Sequence, residues 1–274
     1  MPDMYMMIIL SLIGFFGTLF IIPMFKKMLV EGEIVRPNYK KDMIPVSMGI
    51  VFIPMLVIAS IILAYFDRDL NHMKYLFMFL FAVLSMSFAG IMDDIIGNRN
   101  VSGLKGHFKS LFKGTLTTGG FKALYGGFVG LLISVVLTNS IPEIILNTLI
   151  VALSTNLMNL MDLRPGRAIK VYLLIMLVMI FTLTGFNKVL MCLLVPSVLA
   201  YFNQDLKAKC MMGDAGSNVL GISIGIFMVY GYSINIKIAW LGFLIAIHIF
   251  TEKYSLTEII EKNKVLNFLD RLGR

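Results

Sequence analysis

Nine apolar segments, separated by short polar stretches, make up most of the chain. They fall at about Met4–Phe25, Ile44–Phe66, Tyr75–Met92, Gly120–Thr138, Ile144–Met161, Val171–Phe186, Val189–Phe202, Asn218–Ile234 and Ile236–Phe250. A membrane-spanning helix needs about 20 mainly apolar residues. The pattern therefore predicts an all-α, polytopic integral membrane protein with about nine transmembrane helices. Only Asn187 and Lys188 part the sixth segment from the seventh, and a single long helix there would reverse the orientation of everything downstream.

The distribution of positive charge predicts how these helices cross the membrane. Cytoplasmic loops of membrane proteins are enriched in Lys and Arg. With the N-terminus outside and nine spans, the outside connections hold only Arg68, Lys74, Lys188 and Lys237 of the 24 Lys and Arg residues. The C-terminus then lies in the cytoplasm. We predict a multi-pass protein of the plasma membrane whose polar loops face the cytoplasm.

The last stretch of the chain, SLTEIIEKNKVLNFLDRLGR, has a different pattern. Apolar residues recur there at helical spacing among charges, namely Leu256, Ile259, Ile260, Leu266 and Leu269. Such a pattern is typical of an amphipathic helix that lies on a membrane surface. We therefore divide the chain into a transmembrane domain, residues 1–250, and an amphipathic cytoplasmic tail, residues 251–274.

Composition supports the membrane class and excludes others. The chain is 58% hydrophobic and 15% charged, with a mean hydropathy of +0.86, whereas soluble domains carry about 25% charged residues. The net charge of +8 is spread among loops between apolar segments, which suits membrane topology and anionic head groups rather than nucleic acid. Cys192 and Cys210 lack the spacing of a zinc site and do not form a disulfide framework.

Polar residues interrupt the fifth apolar segment, in STNLMNLMDLRPGRAIK. Asn156 and Asn159 are three residues apart, so they share a helix face, and Asp162 extends that row. An ionised carboxylate at the bilayer centre costs about 2.5–3.5 kcal/mol on insertion scales, so such groups usually face the protein interior and often carry function. The alternative is that they only form hydrogen bonds between helices.

Two further acidic positions fall at the predicted cytoplasmic ends of helices. Asp93 and Asp94 close the third segment, and neighbouring carboxylates in a medium of low dielectric constant need a cation. Asp214 lies between glycines in GDAGSN, followed by Ser217, where the backbone can approach a ligand and offer amide donors to phosphate. A solvated helix end and an ordinary turn are the alternatives.

Together these positions favour a Mg²⁺ site. Magnesium prefers oxygen ligands and is typically bound by one or two carboxylates together with substrate phosphates. Arg164 and Arg167 could hold a diphosphate with two hydrogen bonds each. Phosphoryl transfer requires mainly positioning and charge stabilisation from the protein. A magnesium site at the membrane boundary favours one nucleotide substrate and one lipid phosphate.

The motifs resemble those of the polyprenyl-phosphate N-acetylhexosamine-1-phosphate transferases, the superfamily of phospho-N-acetylmuramoyl-pentapeptide transferase and the lipid-linked GlcNAc-1-phosphate transferases. The shared features, in the order of the family, are PVSMG at Pro45–Gly49, Asp93-Asp94, GLKGHFK ending at Lys109, NLMNLMD at Asn156–Asp162 and GDAGSNVLG at Gly213–Gly221. They extend over most of the chain.

This resemblance implies an Mg²⁺-dependent enzyme of cell-envelope glycan biosynthesis. It would transfer a sugar-1-phosphate, here an N-acetylhexosamine-1-phosphate, from a UDP-sugar to a polyprenyl phosphate and release UMP. By analogy, Asp214 and Asn159 are metal ligands, and Asp93, with Asp94 beside it, deprotonates or orients the lipid phosphate. Lys109 falls where the family binds phosphate. Asp162 lines the nucleotide side, and we add Asn156, Arg164, Arg167 and Ser217 as substrate-binding candidates.

The chain departs from the family pattern in three places, one of which is the lack of a final spanning helix that many members have. The family's Asp-Gly-x-x-Gly continuation is replaced by Asp162-Leu163-Arg164-Pro165-Gly166-Arg167, and its late histidine-rich motif is reduced to His248. These changes affect the parts of the family pattern that recognise the sugar and the nucleotide, and they leave the metal-binding motifs intact. A catalytically silent homologue that binds lipid phosphate or a partner enzyme is the alternative function. An ion-coupled transporter ranks last because the polar residues cluster at one membrane boundary, and a homodimer is left open.

Overall fold

The computed structural model describes residues 4–97 and 114–274. Its long helices, each on one of the predicted apolar segments, are α1 (Met4–Glu31), α2 (Phe52–Phe66), α3 (Leu70–Ile96), α4 (Thr118–Leu137), α5 (Ile141–Met161), α6 (Arg167–Thr182), α7 (Phe186–Leu206), α8 (Asp214–Gly231) and α9 (Ile234–Lys253). The sixth and seventh predicted segments are separate helices, because the chain breaks at 183–185 where Gly185 has a φ of 62°.

Seven helices in the described part of the chain are long and apolar enough to cross a membrane, which makes this a multi-pass membrane protein. The two that fall outside this set are α6, with 16 residues, and α8, which has 18 residues and begins with the polar sequence DAGSN. A helix rises about 1.5 Å per residue, so 16 residues are short for a hydrocarbon core of about 30 Å. The number of nine spans and their orientation therefore remain predictions.

The prediction of an all-α fold was wrong in one detail. A two-stranded antiparallel hairpin, β1 (Val35–Pro37) and β2 (Met43–Pro45), lies between α1 and a 3₁₀ turn at Met48–Val51. Its loop is held by the Asn38 side chain, whose Oδ1 accepts hydrogen bonds from the backbone N–H groups of Lys40 (2.8 Å) and Asp42 (3.0 Å). Asn stabilises turns through such contacts to its own backbone, and the apolar pattern alone does not reveal them.

Helix α8 is the central element of the fold. Every residue from Ala215 to Val229 is buried, chiefly against α3 and α5. Glycines permit this close packing, because a Cβ on Gly90 of α3 would overlap the Asp214 carbonyl, and a Cβ on Gly221 of α8 would overlap the backbone of Thr155 on α5. The polar start of α8 is thereby held inside the protein, away from lipid.

The predicted amphipathic helix of the tail is two short helices instead of one. They are α10 (Leu256–Lys262) and α11 (Lys264–Arg271), and α9 itself continues to Lys253. Asn263 causes the break, because its side-chain oxygen accepts hydrogen bonds from the backbone N–H groups of Val265 (3.0 Å) and Leu266 (3.1 Å) and so caps α11. Asn is one of the strongest residues at the N-cap.

We expect Gly90→Ala to destabilise the protein by about 1–3 kcal/mol, the usual cost of overpacking, because the added methyl group meets the backbone at the start of α8. Thermal unfolding in detergent micelles measures this change. Gly127→Ala on α4 is the matched control, since open space surrounds that position. Equal melting temperatures for the two variants would contradict the close packing of α3 on α8.

Candidate functional site

Most of the predicted site residues line one cavity of about 1230 Å³. Asp93 and Asp94 come from the last turn of α3, Asp214 begins α8, and Asn159 lies in the last turn of α5. The cavity is also lined by Arg36, Lys122, Asn156, Asp162, Arg164, Asp205 and His248. The structure thus brings together three acidic regions that are far apart in the chain.

Lys122 links two of these carboxylates. Its Nζ atom lies 2.9 Å from Asp93 Oδ2 and also contacts Asp214 Oδ2, and its side chain is only 17% exposed. Lys122 lies in the second turn of α4, which places its ammonium group between the end of α3 and the start of α8. A buried cation between two acids offsets their repulsion, so this point of the cavity is a place where positive charge is stabilised.

Asp94 has a different surrounding from Asp93. Its carboxylate accepts hydrogen bonds from Ser47 Oγ (2.7 Å) and from the backbone N–H groups of Asp214 (3.0 Å) and Ala215 (3.1 Å). The two N–H groups are the first of α8 and have no partner within that helix. Arg36 in turn donates to the backbone carbonyl of Asp94 (2.6 Å). Asp94 therefore joins the hairpin region, α3 and α8 and has little capacity left for a ligand.

The loop before α8 has the conformation that the contact between the Asp94 carboxylate and the start of α8 requires. Gly213 has a φ of 70°, in the left-handed region that favours glycine, and a Cβ there would overlap the Asp94 carboxylate. The backbone N–H groups of Met48 and Gly49 donate to the carbonyls of Met211 (3.1 Å) and Met212 (2.9 Å). The PVSMG motif is thus hydrogen-bonded to the two residues that directly precede the GDAGS motif.

Asn156 and Asn159 line the cavity from α5. Asn159 Oδ1 accepts a hydrogen bond from Ser217 Oγ on α8, and Ser217 itself is fully buried. The structure therefore places Ser217 behind Asn159, outside the cavity lining, where it can orient the amide rather than contact a substrate.

Asp162 follows α5 and faces the same cavity as Asp205 at the end of α7. Burial, together with the negative charges of Asp205, Asp214 and Asp94, holds the pKa of Asp162 well above its ordinary value. Asp205 accepts a hydrogen bond from the Gly166 N–H (2.7 Å), which closes the loop between α5 and α6. This side of the cavity thus concentrates acidic groups that favour a bound cation.

The two arginines of this loop have separate positions. Arg164 lines the cavity and pairs with Glu261 of α10 at 3.2 Å. Arg167 is 4% exposed and lies away from the cavity, because its guanidinium binds both carboxylate oxygens of Asp270 on α11, at 2.8 and 3.0 Å. The structure does not place Arg167 with the other predicted substrate-binding residues. Lys109, the predicted phosphate-binding lysine, lies outside the described residues.

Four residues of the site were not identified from the sequence: Lys122, Arg36, Ser47 and Asp205. In the sequence, Lys122 is one of many basic residues near the end of an apolar segment, and nothing marks it as part of a site. Ser47 lies inside the PVSMG motif, which could have suggested it. Arg36 and Asp205 carry no local signal, since their roles depend on contacts to Asp94 and Gly166 in other parts of the chain.

The donor groups fit a hard divalent cation. Within residues 4–97 and 114–274, no group of three or more His, Cys, Asp or Glu side chains is arranged as a metal site by itself. The Lys122 ammonium, however, marks a point between the Asp93 and Asp214 carboxylates that favours a cation. Two carboxylates in a cavity that also contains Asn159 and has room for phosphate oxygens match the way in which Mg²⁺ is usually bound.

Fold and site together define a multi-pass membrane protein with an acidic cavity at the ends of several helices. The sequence profile of glycosyl transferase family 4 matches residues 76–232, and this range contains Asp93, Lys122, Asn159, Asp162 and Asp214. The match covers more than half of the chain, so the chain belongs to this family, whose members transfer phospho-sugars to lipid phosphates. The resemblance noted from the motifs is confirmed at this level. A search of curated proteins gave no match.

We expect Asp94→Asn to lower the free energy of unfolding by about 1–3 kcal/mol, because the amide cannot accept from Ser47 and two backbone N–H groups at once. Thermal unfolding in micelles measures the loss. Asp93→Asn is the matched control, since Lys122 keeps its contact with Asp214 there. If both variants unfolded at the same temperature, the scaffold role of Asp94 would be wrong.

Proposed function

We propose that this protein transfers a sugar-1-phosphate, most simply an N-acetylhexosamine-1-phosphate, from a UDP-sugar to a polyprenyl phosphate and releases UMP. The observation that carries the proposal is the convergence of Asp93, Asp214, Asn159 and Lys122 at one cavity in a family 4 transferase. The positive-inside pattern supports a site that faces the cytoplasm at the plasma membrane, where a nucleotide sugar is available.

The shape of the cavity supports one lipid and one water-soluble substrate. Its polar part holds the carboxylates, Lys122 and Arg164. Another part runs between α4, α5 and α9 and is lined by apolar residues, namely Ala123, Gly126, Leu149, Leu153, Ile245 and Ile249. Most of α9 is exposed in the protein and would face lipid in a membrane. An isoprenoid chain could therefore reach the carboxylates along this side.

The reaction needs positioning and charge stabilisation. An oxygen of the lipid phosphate attacks the β-phosphorus of the UDP-sugar, the new P–O bond forms, and the bond from the β-phosphorus to the bridging oxygen breaks. That oxygen leaves with UMP. Mg²⁺ would supply neutralisation of the phosphate charge, held by Asp214, Asn159 and the substrate oxygens. The geometry favours Asp93 as the group that orients the lipid phosphate or takes its proton, because Asp94 is already occupied by three donors.

Lys122 and Arg164 both supply positive charge to the cavity. Lys122 lies at the acidic pair, from which its ammonium group can reach an incoming phosphate. Arg164 lies by Asp162 on the side of the loop between α5 and α6, where the nucleotide is proposed to bind, and a guanidinium can hold a diphosphate with two hydrogen bonds. Asn156 lies one turn before Asn159 and faces the same cavity, so it is a candidate for a sugar hydroxyl or phosphate.

We expect the purified protein to release UMP from a UDP-N-acetylhexosamine when polyprenyl phosphate and Mg²⁺ are present. Asp214→Ala and Asp93→Asn should each lower turnover by at least about 100-fold, within the range for loss of groups that act on the transition state. Release of UMP, measured by chromatography, tests both statements. Glu143→Gln is the control, because Glu143 pairs with the buried Lys237 outside the cavity.

Two results of this experiment would contradict the proposed enzyme or its proposed site. If no nucleotide sugar released UMP while the protein still bound polyprenyl phosphate, the catalytically silent homologue would replace the proposed enzyme. Normal rates in both aspartate variants would leave the reaction but reject these residues as its site.

Lys122 gives a separate prediction about the metal. Because its ammonium occupies both carboxylates, it competes with a divalent cation for them. We expect Lys122→Gln to bind Mn²⁺, a probe for Mg²⁺, at least about tenfold more tightly, since this factor needs only about 1.4 kcal/mol, while turnover falls for lack of a phosphate-binding charge. Electron paramagnetic resonance titration measures free Mn²⁺.

Lys237→Gln removes another buried lysine and serves as the control for this titration. It should leave Mn²⁺ affinity unchanged. Equal or weaker Mn²⁺ binding by Lys122→Gln would reject Asp214 as a carboxylate for which Lys122 and the cation compete.

A further inference from the structure

Helix α11 is polar where it is buried and apolar where it is exposed. Asp270 is 9% exposed, while Val265 and Phe268 are 67% and 64% exposed. A helix on the surface of a soluble protein has the opposite arrangement, with its apolar face toward the core. The exposed face of α11 therefore needs a partner other than water.

The buried face of α11 is held by a network of ion pairs. Asp270 binds Arg167 of α6 through both carboxylate oxygens and also pairs with Arg274 at 2.9 Å. Thr257 of α10 accepts a further hydrogen bond from Arg167 at 3.0 Å. Burial acts to raise the pKa of Asp270. The hydrogen bonds and the positive charges of Arg167 and Arg274 nevertheless hold this pKa below its ordinary value. The network joins both tail helices to the start of α6.

The last turn of α11 is fixed to the same region by its backbone. Lys170 Nζ donates to the carbonyls of Leu269 (2.9 Å) and Asp270 (2.8 Å). These carbonyls lie at the C-terminal end of the helix, where a cation is favourable. Arg274 Nε donates to the Pro165 carbonyl at 2.8 Å. The tail is thus attached directly to the loop that joins α5 to α6.

That loop is a wall of the cavity. Arg164 and Pro165 line it, and Arg164 pairs with Glu261 of α10. The position of Arg164 in the cavity therefore depends on where the tail is held. The residues that replace the family's Asp-Gly-x-x-Gly sequence are the ones that contact the tail.

The exposed face of α11 matches a lipid surface. Val265, Phe268, Leu269 and Leu272 recur at the spacing of one helix face, and all are exposed. Lys264 and Arg271 are seven residues apart and lie together along one edge of this stripe. Only Tyr254 and Ser255 separate α10 from α9, a candidate membrane span that ends at Lys253, so the tail helices stay close to the membrane boundary. An apolar stripe with cations along one edge, at this distance from a span, fits anionic head groups over acyl chains.

We propose that α11 is a clamp between the bilayer surface and the cavity. Its exposed face binds the anionic surface of the membrane that the protein spans, and its buried face holds the loop from Asp162 to Arg167 so that Arg164 stays in the cavity. The part of the proposal that concerns the membrane does not depend on the proposed function. The part that concerns Arg164 rests on the proposed function, with Arg164 as a residue for the donor diphosphate.

The membrane part is tested with the full chain in lipid nanodiscs. Trp240 is the single tryptophan of the chain, so the variant Trp240→Phe/Phe268→Trp reports on α11 alone. Brominated phosphatidylcholine, with or without phosphatidylglycerol, serves as the quencher. We expect strong quenching that increases at least twofold with the anionic lipid. The further change Lys264→Gln/Arg271→Gln should abolish this increase, while Lys40→Gln/Lys41→Gln in the hairpin loop should retain it.

Other outcomes of this experiment would overturn the membrane part. Absence of quenching would show that acyl chains do not cover α11. Equal quenching in both lipid compositions would reject anionic head groups as the ligand. Quenching that appears only in discs with two copies of the chain would assign the stripe to a second copy instead.

The clamp part is tested by breaking the buried network. We expect Asp270→Asn to raise amide hydrogen exchange of residues 256–271 at least tenfold and to raise the KM for the UDP-sugar more than it lowers kcat. Asp270→Glu, which keeps the charge, should restore both values partly. Glu143→Gln, which breaks the ion pair with Lys237, is the control.

Unchanged exchange in Asp270→Asn would reject the clamp, whatever the activity. Faster exchange with an unchanged KM would show that the tail does not position Arg164. Absence of turnover in the unmodified protein would instead count against the proposed function, and the exchange measurement would still decide whether the tail is held by Asp270.

Discussion

The arrangement of the site depends on the hydrogen bonds that the Asp94 carboxylate accepts. It binds Ser47 and the first two backbone N–H groups of α8, so a single side chain joins the region after the hairpin, α3 and α8. In a medium of low dielectric constant an unpaired carboxylate and unpaired amides are both costly. Their mutual satisfaction fixes the start of α8, and thereby Asp214, beside Asp93.

The central position of α8 follows from the same constraint. A helix that begins with DAGSN cannot face lipid, and the structure surrounds it with α3 and α5. Gly90 and Gly221 permit this, because neither helix surface has a Cβ at the points of contact. Lys122 then joins the carboxylates of Asp93 and Asp214 at the cavity. The close packing at Gly90 and Gly221 thus determines where the charged groups lie, and these groups determine which ligands the cavity can bind.

The loop between α5 and α6 shows how a departure from a family motif can acquire a structural role. Arg167 occupies a position that was expected to bind the substrate, but its guanidinium binds Asp270 of the tail. Arg164, three residues earlier, remains in the cavity and contacts the tail through Glu261. The replacement of the family's Asp-Gly-x-x-Gly sequence in this loop therefore leaves in place the polar groups that α3, α5 and α8 contribute to the cavity.

The sequence by itself determined the membrane class, the helical segments and the acidic positions at their ends, because hydrophobic periodicity and the cost of burying charge act locally along the chain. It also indicated the family through the order of its motifs. Only the tertiary structure decided that Asp94 supports the scaffold while Asp93 faces the cavity, since neighbours in sequence point in different directions on a helix. The partners of Lys122 and of Arg167 lie about 30 to 100 residues away along the chain, and contacts over such separations leave no local pattern.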